Sequence, residues 1–167
     1  MVNSIKCVSF TGHRPEKLMP EFDEKSEYIL SIKAKLRQLI KEAIFDGYSV
    51  FYCGMAKGID IMAGEIVADF IDKGFDIKLL AVIPYYTYAN SWKDEWKGRF
   101  DRLLKSASRH LYIDNEYHRD TYLRRNRYLV ENSDLLIAVR KGTEHSGTTY
   151  TIDYAKKLGL NIKIIEL

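Results

Sequence analysis

Three short segments set glycine beside groups that bind anions, and each follows an apolar run: Thr11-Gly12-His13-Arg14-Pro15, Cys53-Gly54-Met55-Ala56-Lys57-Gly58-Ile59-Asp60, and Ser146-Gly147-Thr148-Thr149. Glycine lets the backbone approach a ligand closely, and Arg14 offers a planar, permanently charged fork suited to phosphate or carboxylate. In the second segment Gly54 and Gly58 bracket Met55 and Ala56, and Asp60 enters the helix that follows. Main-chain N–H groups at a helix start, uncrowded by side chains, attract anions. The third segment adds hydroxyls and a glycine N–H at another helix start, the composition of a phosphate cradle. Neither GxGxxG nor a P-loop ending in Gly-Lys-Ser/Thr is present, and no cofactor is expected. His13 has no partner at metal-ligand spacing, so no metal is expected either.

Each of these residues also has a structural role open to it. Asp60 can complement the helix dipole, Ser146, Thr148 or Thr149 can cap a helix, and His13 can act as a structural hydrogen-bonder. Arg125 is different. It lies three residues after Tyr122 and four before Leu129, on the apolar stripe of its helix, where a guanidinium needs either an internal carboxylate such as Asp60 or a ligand cleft. Its neighbours Arg124 and Arg127 read as surface charges within reach of a phosphate. The aromatic run PYYTYANSW (84–92) can stack a base or seal a loop against the core.

The elements that must position these groups follow from periodicity. Apolar runs at 6–10, 49–53, 77–83, 110–113, 134–139 and 162–167 lack alternation and read as parallel strands covered on both faces. Between them lie helical stripes, from Tyr28 to Ala43, from Ile59 to Lys73, through Trp92, Trp96 and Phe100, from Tyr122 to Val130, and from Gly147 to Leu158. Strand followed by helix, repeated, describes an α/β protein: a Rossmann-like three-layer α/β/α sandwich with a mainly parallel sheet of about six strands. Ligands bind such sheets beyond the carboxyl ends of the strands, where strand order reverses.

With 46% hydrophobic and 29% charged residues over 167 positions, the composition excludes a disordered or fibrous chain and fits one domain, 1–167. A net charge of +3 neither requires nor excludes a polyanionic partner. Cys7 and Cys53 sit in apolar runs and suggest no disulfide framework, which favours a reducing cytoplasm. The N-terminal segment has no apolar stretch of signal length, and no segment approaches the roughly 18 apolar residues of a membrane span.

The motifs together resemble the SLOG superfamily, which unites the DNA-processing protein DprA with the LOG phosphoribohydrolases, and most closely its YpsA-like branch. Gly12-His13-Arg14 stands where DprA-like proteins have Gly-Ser-Arg; GMAKGID (54–60), RNRYLVENS (125–133) and SGTTYT (146–151) are similar to further motifs of that family. LOG-like enzymes carry an arginine nine residues before the Asp of an SD pair, and counting back from Asp134 reaches Arg125. Their partner glutamate falls on Thr151 here, and threonine neither activates water nor stabilises a developing ribosyl cation well. The resemblance implies binding or sensing of a nucleotide or nucleotide-derived small molecule, with Gly12, His13, Arg14, Gly54, Met55, Ala56, Gly58, Asp60, Arg125, Ser146, Gly147, Thr148 and Thr149 as ligand-binding candidates. Two alternatives stay open: a phosphoribohydrolase acting on nucleoside monophosphates through Arg125 with Glu144 or Asp60, and single-stranded DNA binding in the DprA manner. Exposed Tyr and Trp on the third long helix would suit a homodimer face.

Overall fold

All six apolar runs form strands. In the computed structural model, which describes residues 4–167, the order is β1 (Lys6–Gly12), α1 (Pro15–Leu18), α2 (Glu27–Phe45), β2 (Tyr48–Cys53), α3 (Ile59–Asp72), β3 (Lys78–Tyr85), α4 (Glu95–Ser106), β4 (Arg109–Asp114), α5 (Thr121–Glu131), β5 (Leu135–Arg140), α6 (Gly147–Lys157) and β6 (Asn161–Glu166). The first three residues, part of the N-terminal segment read for a signal, lie outside the described residues.

The strands form one sheet of order β4-β3-β2-β1-β5-β6, with every neighbouring pair parallel. Period-two alternation divides the strand side chains between two apolar layers. Val8, Phe10, Leu135, Ile137 and Val139 join Ile32, Leu36, Ile40, Ile66 and Val67 of α2 and α3 in one layer. Leu136 and Ala138 join Val130 of α5 and Ile152 and Ala155 of α6 in the other. Helices on both faces of a parallel sheet make the three-layer sandwich. Each fully buried Leu, Ile or Phe contributes about 1.5–3 kcal/mol, so these layers fix the frame on which the strand-end loops sit.

Side-chain caps start three of the helices. Ser26 accepts from the Ile29 N–H at 3.3 Å, Asp94 from that of Trp96 at 3.1 Å, and Ser146 from that of Thr149 at 3.1 Å. The Asp94 cap corrects the reading of the third long helix: Trp92 precedes it in a turn, and α4 begins at Glu95. Nor does α4 present an exposed aromatic face. Trp96 is only 5% exposed, tilted against Phe22 and under the Arg99 guanidinium. The four-residue α1 was not legible as a helix; Pro15 at its start and the buried Leu18 anchor it. No helix of the described residues is long and apolar enough to cross a membrane.

Candidate functional site

The chain runs from β1 outward to β4, then returns through α5 to place β5 on the other side of β1. Strand order therefore reverses between β1 and β5, the position where open α/β sheets leave a crevice. A cleft of about 300 Å³ opens there, walled by the end of β1, the loop after β2, the first turns of α5 and the start of α6.

The structure brings Gly12, His13, Arg14, Ala56, Asp60, Arg125, Ser146, Gly147 and Thr148 into this wall. Gly54, Met55, Gly58, Thr149 and Glu144 are not part of it. Glu144 is exposed on its loop, and its main-chain carbonyl accepts from the Thr149 hydroxyl at 2.8 Å. Thr151, at the LOG glutamate position, is buried and donates to the Gly147 carbonyl of its own helix at 2.7 Å.

At the start of α6 the Ser146 hydroxyl accepts from the Thr149 N–H, and the Ser146 carbonyl accepts from that of Tyr150 at 2.9 Å. The N–H groups of Gly147 and Thr148 keep no acceptor among the described residues and lie on the cleft wall. They form the open end of the helix dipole. The start of α3 is partly engaged by the protein itself. Its Ile59 N–H donates to the His13 carbonyl at 3.3 Å, and the Ala56 N–H donates weakly to Asp60 at 3.4 Å. Asp60 and the His13 carbonyl thus take up part of the expected anion cradle at Gly54 to Gly58.

The glycines of that loop serve close packing. A Cβ on Gly54 would stand 2.7 Å from Asp60 Oδ2 and 3.0 Å from Arg125 Nη1. Gly58 adopts φ +95°, and a Cβ there would meet the His13 carbonyl at 2.6 Å. Arg125, 6% exposed, donates to the Gly54 carbonyl and, at 2.9 Å, to Asn126 Oδ1. No carboxylate lies within ion-pair distance of it among the described residues, so Asp60 acts on it through space.

His13 ties three loops together. Its carbonyl holds α3, while its Nε2 accepts the Lys141 N–H from the loop after β5 at 3.0 Å. Burial pushes its pKa down, and Lys17 and Lys141 push the same way, which keeps the imidazole neutral and able to accept. Arg14 is exposed at the cleft mouth, its guanidinium 5.9 Å from the Tyr122 ring centroid, with no side-chain bond or ion pair among the described residues.

Burial pushes the Asp60 carboxyl up, opposed by the charge of Arg125, the Ala56 N–H and the charge of Arg14. Native Asp60 then binds its proton more tightly than in the unfolded chain. Between the ordinary aspartate value and the raised one the native state holds more protons, so stability falls as pH rises through that window. Asp60→Asn is therefore expected to match the parent protein's thermal midpoint in acid below the ordinary aspartate range and to exceed it at neutral pH. Melting curves across pH check this; a pH-independent difference would contradict it.

Six wall residues went unrecognised as site residues in the sequence: Phe10, Thr11, Glu16, Lys17, Tyr122 and Asn126. Tyr122 had a signal, since it shares the stripe of Arg125 one turn earlier. Lys17 follows Arg14 by three residues, one turn of a helix too short to announce itself.

A family model described as the YspA SLOG family matches residues 8–166. UPF0398 proteins of Bacillus thuringiensis (strain Al Hakam) and Bacillus cereus (strains AH187 and Q1) are each 24% identical over 160 residues, covering 93% of this chain and 85% of the relative. The match takes in all three strand-end loops and both long helices of the cleft wall. The chain belongs to the YspA SLOG family.

Proposed function

We propose that this protein binds or senses a nucleotide or nucleotide-derived small molecule, with its phosphate between Arg14, Arg125 and the start of α6. One observation carries the reading: two free N–H groups at a helix start, a buried guanidinium and an unpaired exposed one line the same cleft at the reversal point of the sheet. Charge-assisted bonds from such donors suit phosphate oxygens.

The hydrolase alternative is weakened by the same geometry. Thr151 is bonded into its own helix and Glu144 is absent from the wall, which leaves the buried Asp60 and the exposed Glu16 as the carboxylates lining the cleft among the described residues. Single-stranded DNA also loses support along α5. Arg124 is engaged by Asp114 and Asp120, and Arg127 by the Tyr150 hydroxyl at 2.8 Å. A reducing cytoplasm suits the two free cysteines.

Nucleoside monophosphates are expected to raise the thermal midpoint while the matching nucleosides do not, since binding to the native state alone stabilises by mass action, about 2.7 kcal/mol at a hundredfold excess over Kd. Differential scanning fluorimetry with a nucleotide panel tests this. No shift with any phosphate-bearing compound would count against the proposal, and a steep fall in oligonucleotide affinity with salt would favour nucleic acid instead.

A further inference from the structure

A second hollow of about 320 Å³ adjoins the first and shares Arg14, Glu16 and Tyr122 with it. Its remaining wall is Lys57, Tyr85, Tyr88, Ser91 and Trp92. It lies beyond the carboxyl ends of β2 and β3, one strand further along the same sheet edge. Each hollow alone is near the lower limit, about 300 Å³, of small-molecule sites.

The two differ in chemistry. The first has the helix start and the buried Arg125; the second has four aromatic rings. These rings brace one another edge to face: Tyr88 and Trp92 at 5.2 Å and 69°, Tyr88 and Tyr122 at 6.0 Å and 68°, Tyr85 and Tyr88 at 5.5 Å and 82°. Bracing of this kind fixes the walls before any ligand arrives. Lys57, held by Asp94 at 2.5 Å, stands 4.8 Å from the Trp92 ring centroid and closes one side. Glu16 and Ser91 have no side-chain partner among the described residues, leaving an acceptor and a hydroxyl for the hydrogen-bonding edge of a planar heterocycle.

We propose that this aromatic hollow receives the base of the nucleotide whose phosphate occupies the neighbouring cleft, with the sugar passing Arg14 and Tyr122. The inference rests on the nucleotide reading above and adds its orientation and the requirement for a base. Base stacking on aromatic side chains is worth about 1–3 kcal/mol, so a base-bearing ligand should bind at least about fivefold more tightly than the same ligand without its base.

Calorimetric titration of the whole chain with adenosine monophosphate, guanosine monophosphate and ribose 5-phosphate tests this, with intrinsic fluorescence followed in parallel. The chain has two tryptophans, and Trp96 is buried away from the hollow, so Trp92 is the reporter. The expected result is tighter binding of at least one monophosphate than of ribose 5-phosphate, with a change in tryptophan emission that Trp92→Phe abolishes. Ser91→Trp, at an exposed position and so tolerated by the fold, should fill the hollow and reduce monophosphate affinity to that of ribose 5-phosphate, which itself should be unchanged. Equal affinity for all three ligands, or monophosphate binding that Ser91→Trp leaves intact, would overturn the base site while leaving the phosphate site standing. Failure of every ligand to bind would overturn both.

Discussion

Gly58→Ala is expected to lower the thermal midpoint by roughly 10 °C. Gly58 combines two demands that alanine cannot meet: φ is +95° with ψ −128°, a region populated almost only by glycine, and the new Cβ would lie 2.6 Å from the His13 carbonyl. Backbone strain of this kind costs about 1–3 kcal/mol and overpacking against a main-chain atom a similar amount. At about 2–4 °C per kcal/mol for a chain of this size, the combined loss is large. Gly54→Ala isolates the second cost, because that glycine's φ is outside the left-handed region and only the contacts with Asp60 and Arg125 oppose a Cβ. It should lose roughly half as much. The two melting curves, measured together, check the prediction; equal midpoints for Gly58→Ala and the parent would show that the loops after β1 and β2 do not meet at this glycine.

Arg14→Ala is expected to do the opposite, leaving the fold intact and removing binding. An exposed side chain with no bonded partner changes stability by no more than about 0.5 kcal/mol. Hydrogen bonds to a charged group are worth about 1.5–3 kcal/mol, and losing them weakens a phosphate ligand about tenfold to a hundredfold. Arg14→Lys should recover little, since an ammonium cannot reproduce the planar fork. Titration calorimetry on variants with unchanged midpoints provides the check, and unaltered nucleotide affinity in Arg14→Ala would remove Arg14 from the site. Arg125→Ala cannot make this separation. It strips the Gly54 carbonyl of its donor and Asp60 of its nearest compensating charge, so folding and binding fall together.

The element order was legible because parallel strands buried on both faces must be continuous apolar runs, and the helices between them must carry a stripe of period 3.6. Both signals are local, and both survive in the chain unaided: all six strands and all five long helices stand within a few residues of their expected bounds. The glycine loops were legible for the same reason, since each lies where a run ends. Trp92 was misassigned because an aromatic at helical spacing from Trp96 and Phe100 looks like a first turn; the cap that excludes it, Asp94, acts through a single hydrogen bond.

The division of labour among the loops belonged to tertiary structure. All three share one glycine-rich composition, yet they are engaged differently, because His13 delivers its carbonyl to the Ile59 N–H at the start of α3 and its ring nitrogen to Lys141, while the Gly147 and Thr148 N–H groups keep no acceptor among the described residues. Those contacts join residues 46 and 128 positions apart, and no local pattern encodes them. The composition of the loops and the buried register of Arg125 were thus determined by the sequence itself. Which N–H groups His13 engages, which oxygen Arg125 meets, and the meeting of Arg14 with Tyr122 and the aromatic hollow depended on strand order, which brings distant loop ends to one edge of the sheet.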